Sequence, residues 1–271
     1  MNGSSFANIA ACLRAAYGEK PRALMLKIDV LSTFPEIFQS TLHVGIVGRA
    51  LDKKLAEVIT HDLRDYAVGN HKSTDDSPFG GGPGMVMRPE PIYAALNSLG
   101  LQPGTPVIAL SAQGKLFTQR EAERLAQNDR VVLLCGRYEG IDERVLQNYI
   151  TEEISVGDYV VSGGEIPAML LIDSLIRLLP GALGHGENAI SDDSHTSGIL
   201  QFPQYTRPAV FQGLKVPDIL LSGDHNAIAQ WRRNEALKRT LERRPELLDS
   251  ASLDENDKKN LGAIYKEKGI I

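Results

Sequence analysis

Short apolar runs alternate with helix-forming segments along the first two thirds of the chain. Residues 107–110 and 131–135 are continuous apolar runs, which is typical of strands buried on both faces of a sheet. Residues 27–31 form a third, shorter predicted strand. Thr118 and Glu121 have the spacing of a capping box, which predicts that a helix begins after Thr118. Strands that alternate with helices indicate an α/β fold with a mostly parallel sheet covered on both faces.

The pattern changes after residues 166–179, a predicted helix that is apolar on most sides and ends before Pro180. Residues 180–206 are rich in Gly, Ser, Asp and His and have no sustained period, so we interpret them as a long linker or an active-site lid. Further helices are predicted near residues 224–243 and 254–267.

These changes predict four segments. Residues 1–24 are expected to be an extension upstream of Met25 that is not part of the fold. Residues 25–182 form the predicted α/β domain, and residues 183–206 form the linker or lid. Residues 207–271 form a small helical domain.

Charge is distributed unevenly along the chain. The 271 residues carry a net charge of −5, which argues weakly against a nucleic-acid-binding protein. Within residues 224–244, however, six cations and three anions give a local charge of +3. Arg232, Arg239 and Arg243 share one face of the predicted helix. This stripe is either a phosphate-contacting face beside Trp231 or an ordinary solvated face with Trp231 in the core.

Several classes of protein are disfavoured by the sequence. Two cysteines, Cys12 and Cys135, are too few for a disulfide framework and are typical of a reducing compartment, so we expect a cytoplasmic protein. The apolar stretch of residues 166–172 is too short for a membrane span, which needs about 20 residues. The glycine-rich Rossmann and P-loop motifs and the H-E-x-x-H zinc motif are absent from the sequence.

Three glycine-containing segments are the candidates for chemistry. Residues 75–85 form a glycine–proline loop that could approach a ligand closely, although such a run alone is usually a plain turn. Residues 135–144 follow a predicted buried strand and place Arg137 and Glu139 at its carboxyl end, where ligands bind in open parallel sheets. Residues 154–167 contain two glycine turns around a short predicted apolar strand, and their backbone groups suit an adenine and its ribose.

In this order and spacing, the three segments resemble the bacterial tRNA (guanine-N1)-methyltransferases of the TrmD type, a family of the SPOUT class. The resemblance covers about residues 25–248 and includes Phe34-Pro35-Glu36 and residues 205–208 and 220–225. It implies a SPOUT-type α/β domain with a deep trefoil knot near its carboxyl end, a rare exception to the rule against threaded chains. The knot would be formed by three segments, residues 107–115, 133–140 and 154–167.

In this family the knot binds the methyl donor, S-adenosylmethionine. Ala109 departs from the family pattern, which has an aromatic residue at this position. The donor-binding positions implied by the resemblance are Ala109, Leu110, Ser111, Gly136, Tyr138, Val156, Gly157, Asp158, Tyr159, Val160, Val161, Gly163, Gly164 and Pro167.

The reaction implied by the resemblance is methyl transfer to N1 of guanosine 37, next to the anticodon of tRNA. Because N1 carries a proton, a general base must remove it. The resemblance assigns this role to Asp193, with Asp192 as the alternative, whereas an aspartate in such a segment is otherwise typical of a helix N-cap. Arg177 would stabilise the charge that develops on O6 of the base. Glu139 would act in catalysis and in binding Mg²⁺, although the sequence leaves the requirement for Mg²⁺ open.

The resemblance also implies a homodimer whose active sites are shared between subunits, with no membrane association. Residues 207–271 would then bind the anticodon stem-loop, and the arginine stripe would contact its phosphates through Arg232, Arg239 and Arg243. Arg137 would hold the substrate or the linker. Two alternatives are a SPOUT enzyme that methylates another RNA position, such as a ribose 2′-hydroxyl or another base, and a non-catalytic RNA-binding module.

Overall fold

The computed structural model describes residues 25–184 and 193–267. The chain divides into two compact units, with the boundary between Ala182 and Leu183. The predicted extension of residues 1–24 and the alternative base Asp192 lie outside the described residues.

The first unit is built on a five-stranded parallel sheet. Its strands are β1 (Leu26–Ser32), β2 (Ala56–Asp62), β5 (Val107–Leu116), β6 (Arg130–Cys135) and β7 (Glu152–Ser155). They lie in the order β2-β1-β6-β5-β7. Between β2 and β5 the chain forms a small antiparallel pair, β3 (Asp75–Asp76) and β4 (Val86–Met87). The predicted α/β class, the mostly parallel sheet and the three predicted strands, two of them predicted as buried, are confirmed.

Helices cover both faces of this sheet. The five α-helices described in this unit are α1 (Gly45–Asp52), α2 (Pro89–Ser98), α3 (Gln119–Leu125), α4 (Glu143–Tyr149) and α5 (Glu165–Ile176). Alternate residues of β6 enter two separate cores, because Leu133 packs with α1, α3 and α5, whereas Leu134 packs with α2 and α4. The Thr118 hydroxyl accepts a hydrogen bond from the Glu121 N–H at the start of α3, which confirms the predicted cap.

Strand β5 is interrupted where it pairs with β7. Leu110 pairs with Ile154, and Lys115 then pairs with Ile154 again, so residues 111–114 bulge out of the ladder. A Cβ atom on Gly114 would lie 2.5 Å from the backbone of Glu153 and Ile154. The bulge therefore requires glycine at this position.

The second unit is small and mainly helical. Its described elements are the hairpin β8 (Val210–Phe211) and β9 (Leu214–Lys215) and the helices α6 (His225–Arg243) and α7 (Glu255–Glu267), with short 3-10 turns at Asp218–Leu221 and Pro245–Asp249. Leu237 of α6 and Leu261 of α7 meet in its core with Ile199. Both predicted helices are confirmed.

One element predicted from the sequence is wrong. Residues 156–164, between the two glycine turns, contain no strand. In this unit Tyr159 and Val160 are 57% and 89% exposed, so burial of their apolar surface does not stabilise a strand here. The valines favour a strand locally, but none of the strands that the structure describes pairs with this segment.

Candidate functional site

Two of the glycine-containing segments meet beyond the carboxyl end of the sheet. The Gly164 N–H donates a 2.8 Å hydrogen bond to the carbonyl oxygen of Gly136. A Cβ atom on Gly164 would lie 2.7 Å from the Cα atom of Cys135, so only glycine allows the two backbones to approach this closely. Residues 136–142, after β6, and residues 156–164, after β7, therefore form a double loop at the edge where parallel sheets bind ligands.

A buried carboxylate joins the double loop to β1. Glu165, the first residue of α5, is 1% exposed and accepts hydrogen bonds from the Ser32 hydroxyl at 2.7 Å and from Arg137 Nε at 2.9 Å. Arg137 also donates to the carbonyl oxygen of Ser162, and its guanidinium lies 4.4 Å from the ring centroid of Phe34. Sequence reasoning missed Ser32 and Glu165, although a charged residue at the start of an apolar helix was a usable signal.

The third glycine segment adjoins the double loop. The Glu139 N–H donates to the carbonyl oxygen of Met85, and the Met87 N–H donates to that of Gly140, both at 2.9 Å. Gly84 lies against the Glu139 side chain and has a positive φ of 81°, so it is restricted both sterically and conformationally. The structure thus brings all three sequence-predicted segments together.

The predicted donor-binding residues differ in accessibility. Ala109 and Leu110 are buried within β5, and Gly164 and Pro167 are buried at the start of α5. Partly buried positions are Ser111, Gly136, Val156, Gly157 and Gly163, whereas the exposed positions are Tyr138, Asp158, Tyr159, Val160 and Val161. The surface of the double loop is therefore formed mainly by residues 138 and 156–163.

Tyr138 is held in an unusual conformation beside this surface. Its φ is +60°, and its side chain is half exposed. Burial of part of the ring, together with the carboxylate of Asp75, raises the pKa of the Tyr138 hydroxyl. The hydroxyl is accordingly neutral at physiological pH. Burial also raises the pKa of the Cys135 thiol well above its usual value, so this thiol is unsuited to nucleophilic chemistry.

The three predicted catalytic residues are divided between the units. Glu139 is exposed in the first unit, and Arg177 is partly buried at the carboxyl end of α5 in the same unit. Asp193 belongs to the second unit, where its carbonyl oxygen accepts a hydrogen bond from the Thr196 N–H. Within residues 25–184 and 193–267, no group of three or more His, Cys, Asp or Glu side chains could hold a metal ion.

The arginines of α6 have different environments. Arg232 and Arg243 are exposed, and Arg239 is partly buried. The neighbouring Arg233 is bound to Asp257 of α7 at 2.6 Å and therefore joins the two helices. Asp224 caps α6 by accepting hydrogen bonds from two backbone N–H groups.

Trp231 does not lie in the core of the second unit. It is partly buried and lines a surface cleft with Tyr205, whose ring centroid is 6.4 Å away. Sequence reasoning considered Trp231 but missed the aromatic residues that come from the preceding segment. None of the helices that the structure describes is long and apolar enough to cross a bilayer.

Known proteins resemble this chain over most of its length. A family model described as tRNA (Guanine-1)-methyltransferase TrmD matches residues 26–250. A tRNA (guanine-N(1)-)-methyltransferase from Dictyoglomus turgidum is 50% identical over 243 residues, covering 90% of this chain and 98% of the relative. The enzyme of the same name from Geobacillus kaustophilus is 48% identical over 244 residues, covering 90% of this chain and 100% of the relative. The chain therefore belongs to the TrmD family of tRNA (guanine-1)-methyltransferases.

Proposed function

We propose that this protein transfers a methyl group from S-adenosylmethionine to N1 of guanosine 37 in tRNA. Methylation of a tRNA guanine follows from membership of the family. The observation that carries the finer proposal is the double loop, because Gly136 and Gly164 bring two backbone segments into contact at the ligand-binding edge of the sheet. As an enzyme that acts on tRNA, the protein is expected in the cytoplasm.

The double loop suits the methyl donor. Backbone groups of residues 156–163 can hydrogen-bond an adenine and a ribose, and the side chain of Val156 is partly exposed to provide apolar contact. Because Ala109 is fully buried, neighbouring residues would make any contact with the donor at that position. When bound, S-adenosylmethionine supplies an electrophilic methyl group attached to a sulfonium.

The residues proposed for catalysis accept a proton from the base and stabilise the charge that develops on it. Asp193, as a carboxylate, accepts the N1 proton of guanosine as N1 forms its bond to the methyl carbon. The electrons released by this proton transfer increase the negative charge on O6, which the guanidinium of Arg177 stabilises. Glu139 lies on the exposed side of residues 136–142, where it can orient the substrate; if Mg²⁺ takes part, Glu139 is its proposed ligand.

The proposed active form is a homodimer with a knotted first domain. Close contact between the loops after β6 and β7 supports the knot of residues 107–115, 133–140 and 154–167 within residues 25–182. Ile166 and Leu170 of α5 are 59% and 42% exposed, and their apolar surface supports an interface with a second copy. Residues 183–206 are the proposed linker or lid, and the helical domain that follows would bind the anticodon stem-loop.

The substrate is tested with radiolabelled donor and two anticodon stem-loops that differ only in guanosine or adenosine at position 37. We expect label to be incorporated only into the guanosine substrate, and chemical mapping to place the methyl group on N1. Asp193→Ala should lower the rate constant of methyl transfer by about 10²–10⁴-fold. The exposed Asp249 provides the matched control, since Asp249→Ala should retain activity. Labelling of a ribose 2′-hydroxyl, or normal transfer by Asp193→Ala, would refute the proposal.

Shared active sites are tested by subunit complementation. Asp193→Ala and Arg177→Ala variants are each expected to be inactive alone. After the subunits exchange, a mixed dimer would contain one site with both residues intact, so equal mixing should restore about a quarter of the wild-type sites. Failure of the mixture to regain activity, despite demonstrated subunit exchange, would contradict sites formed by residues of two subunits.

A further inference from the structure

The second unit contains an aromatic cleft, defined here by Phe202, Tyr205, Arg207, Trp231 and Arg232. Its volume is about 390 Å³, which lies within the range of small-molecule sites. The described residues that line it all lie between 202 and 232, and the proposed catalytic residues are not among them. None of these lining residues belongs to the double loop, so the proposed role of the double loop does not account for the cleft.

The aromatic rings of the cleft are not stacked on each other. The rings of Tyr205 and Trp231 are inclined at 51°, with centroids 6.4 Å apart, and Tyr205 is 48% exposed. The Arg232 guanidinium lies 4.8 Å from the centroid of the Phe202 ring. The half-exposed ring of Tyr205 and the partly buried ring of Trp231 provide surfaces at the edge of the cleft on which a flat ring can stack.

The charge of the cleft favours an anionic ligand. Arg207 and Arg232 both line it and are exposed, and none of the described residues that line it is Asp or Glu. This is unusual for a chain whose net charge is −5. An apolar peptide would cover the two guanidinium groups without neutralising them, whereas a nucleotide combines a flat base with a phosphate.

We propose that the aromatic cleft binds one unpaired nucleobase of the RNA substrate other than the base that is methylated. In this arrangement the base stacks on Tyr205 or Trp231, while Arg207 and Arg232 contact the flanking phosphates. The inference rests on the proposed function, since it assumes an RNA substrate with an unpaired loop. It gives the second unit a means of recognising unpaired RNA, in addition to the charge of α6.

The cleft contains its own spectroscopic probe, because Trp231 is the only tryptophan of the chain. We expect an anticodon stem-loop to quench the tryptophan emission of the full-length protein as the base stacks. A fully paired hairpin of equal length and charge should leave the emission nearly unchanged. Equal quenching by both RNAs, or no quenching at RNA concentrations that saturate methyl transfer, would overturn the inference.

Variants test the contribution of the rings to affinity. Tyr205→Ala and Trp231→Leu should each weaken binding of the stem-loop by about tenfold or more. Phe211→Ala is the matched control, because this ring is 61% exposed on the β8–β9 hairpin and does not line the cleft. Unchanged dissociation constants for both cleft variants, or an equal loss in the control, would contradict the assignment.

Abasic substitution distinguishes a stacked base from a simple phosphate contact. Removing the base from one loop nucleotide other than 37 should weaken binding to the wild type by about tenfold, with little further loss in Trp231→Leu. If no position behaves in this way, the inference fails. Methyl transfer measured on the same preparations separates the two proposals. Normal transfer without quenching of Trp231 or loss of affinity in the cleft variants refutes only the cleft proposal. Absence of transfer to guanosine 37 refutes the proposed function.

Discussion

The network of Ser32, Arg137 and Glu165 predicts that one buried carboxylate controls both stability and donor affinity. Glu165→Gln keeps the size of the side chain but removes its charge. The residue is 1% exposed, and the Arg137 side chain is 18% exposed, so this ion pair is largely shielded from solvent. Loss of the charge should therefore matter more than at an exposed pair.

The size of the effect follows from the contacts. Removing one partner of a fully buried ion pair costs about 3–5 kcal/mol. Here the glutamine oxygen can still accept from Ser32, and Arg137 keeps the Ser162 carbonyl and the Phe34 ring as partners. We therefore expect a loss of about 2 kcal/mol, the usual value of a hydrogen bond to a charged group. For a unit of this size, the Tm should fall by about 4–8 °C.

The same variant should weaken donor binding at temperatures well below the Tm, because Arg137 also holds the carbonyl oxygen of Ser162 next to Gly163 and Gly164. Isothermal calorimetry with S-adenosylmethionine and thermal unfolding give the two readouts. The control is Glu57→Gln, an exposed residue of β2, whose effect should remain within about 0.5 kcal/mol. A double-mutant cycle with Arg137→Gln provides the decisive comparison. If the two changes are additive within about 0.5 kcal/mol, the residues are not coupled and the reasoning is wrong.

Three further predictions concern acid sensitivity and glycine packing. Burial raises the pKa of Asp29, but hydrogen bonds with His61 and Arg130 outweigh this effect and lower the pKa. The carboxylate therefore stabilises the fold above about pH 4, and this stabilisation is lost as the pH falls further. Asp29→Asn should reduce the slope of stability against pH in acid denaturation, and an unchanged slope would contradict this assignment. A hydrogen bond from Arg233 likewise lowers the pKa of Asp257, so Asp257→Asn should destabilise the second unit at pH 7. Hydrogen exchange should then show weaker protection of its backbone amides, whereas unchanged protection would count against the ion pair. Gly164→Ala should abolish donor binding, because the added Cβ would clash with the backbone of Cys135. In the control Gly262→Ala in α7, no described atom outside the helix backbone lies within 4 Å of the added Cβ, so this change should leave stability unchanged or raise it by about 0.5–1 kcal/mol. Equal donor affinities of the two variants would refute the steric argument.

The sequence predicted the elements whose signals are local. The apolar runs within β5 and β6 predicted buried strands because those residues face a core on each side of the sheet. Strand β2 was missed because it lies at the sheet edge and its residues are mostly half buried, so its apolar pattern is weak. The short strand expected near Val160 was wrong because local β-propensity cannot supply a pairing partner.

At the site, too, local features could be predicted from the sequence, whereas contacts between distant residues could not. Glycine turns identified the segments around Gly136 and Gly164, since close backbone approach requires a residue type that is visible in the sequence. The hydrogen bond between Ser32 and Glu165 joins residues 133 positions apart, and no periodicity reports such a contact. The environments of Trp231 and Tyr205 likewise depend on how a helix packs against an irregular segment. Their cleft could be located only in three dimensions.

The order of strands in the sheet has a consequence for synthesis of the chain. Strand β1 is made early, yet its inner neighbour is β6, and the ion pair between Asp29 and Arg130 spans 101 positions. At about 5–20 residues per second, the ribosome needs about 5–20 s to make that intervening length. During this interval β1 can pair with β2, but its other edge, including Ile28 and Val30, has no native partner. A slow ribosome therefore prolongs the period in which this nascent chain is open to aggregation or to capture by a chaperone.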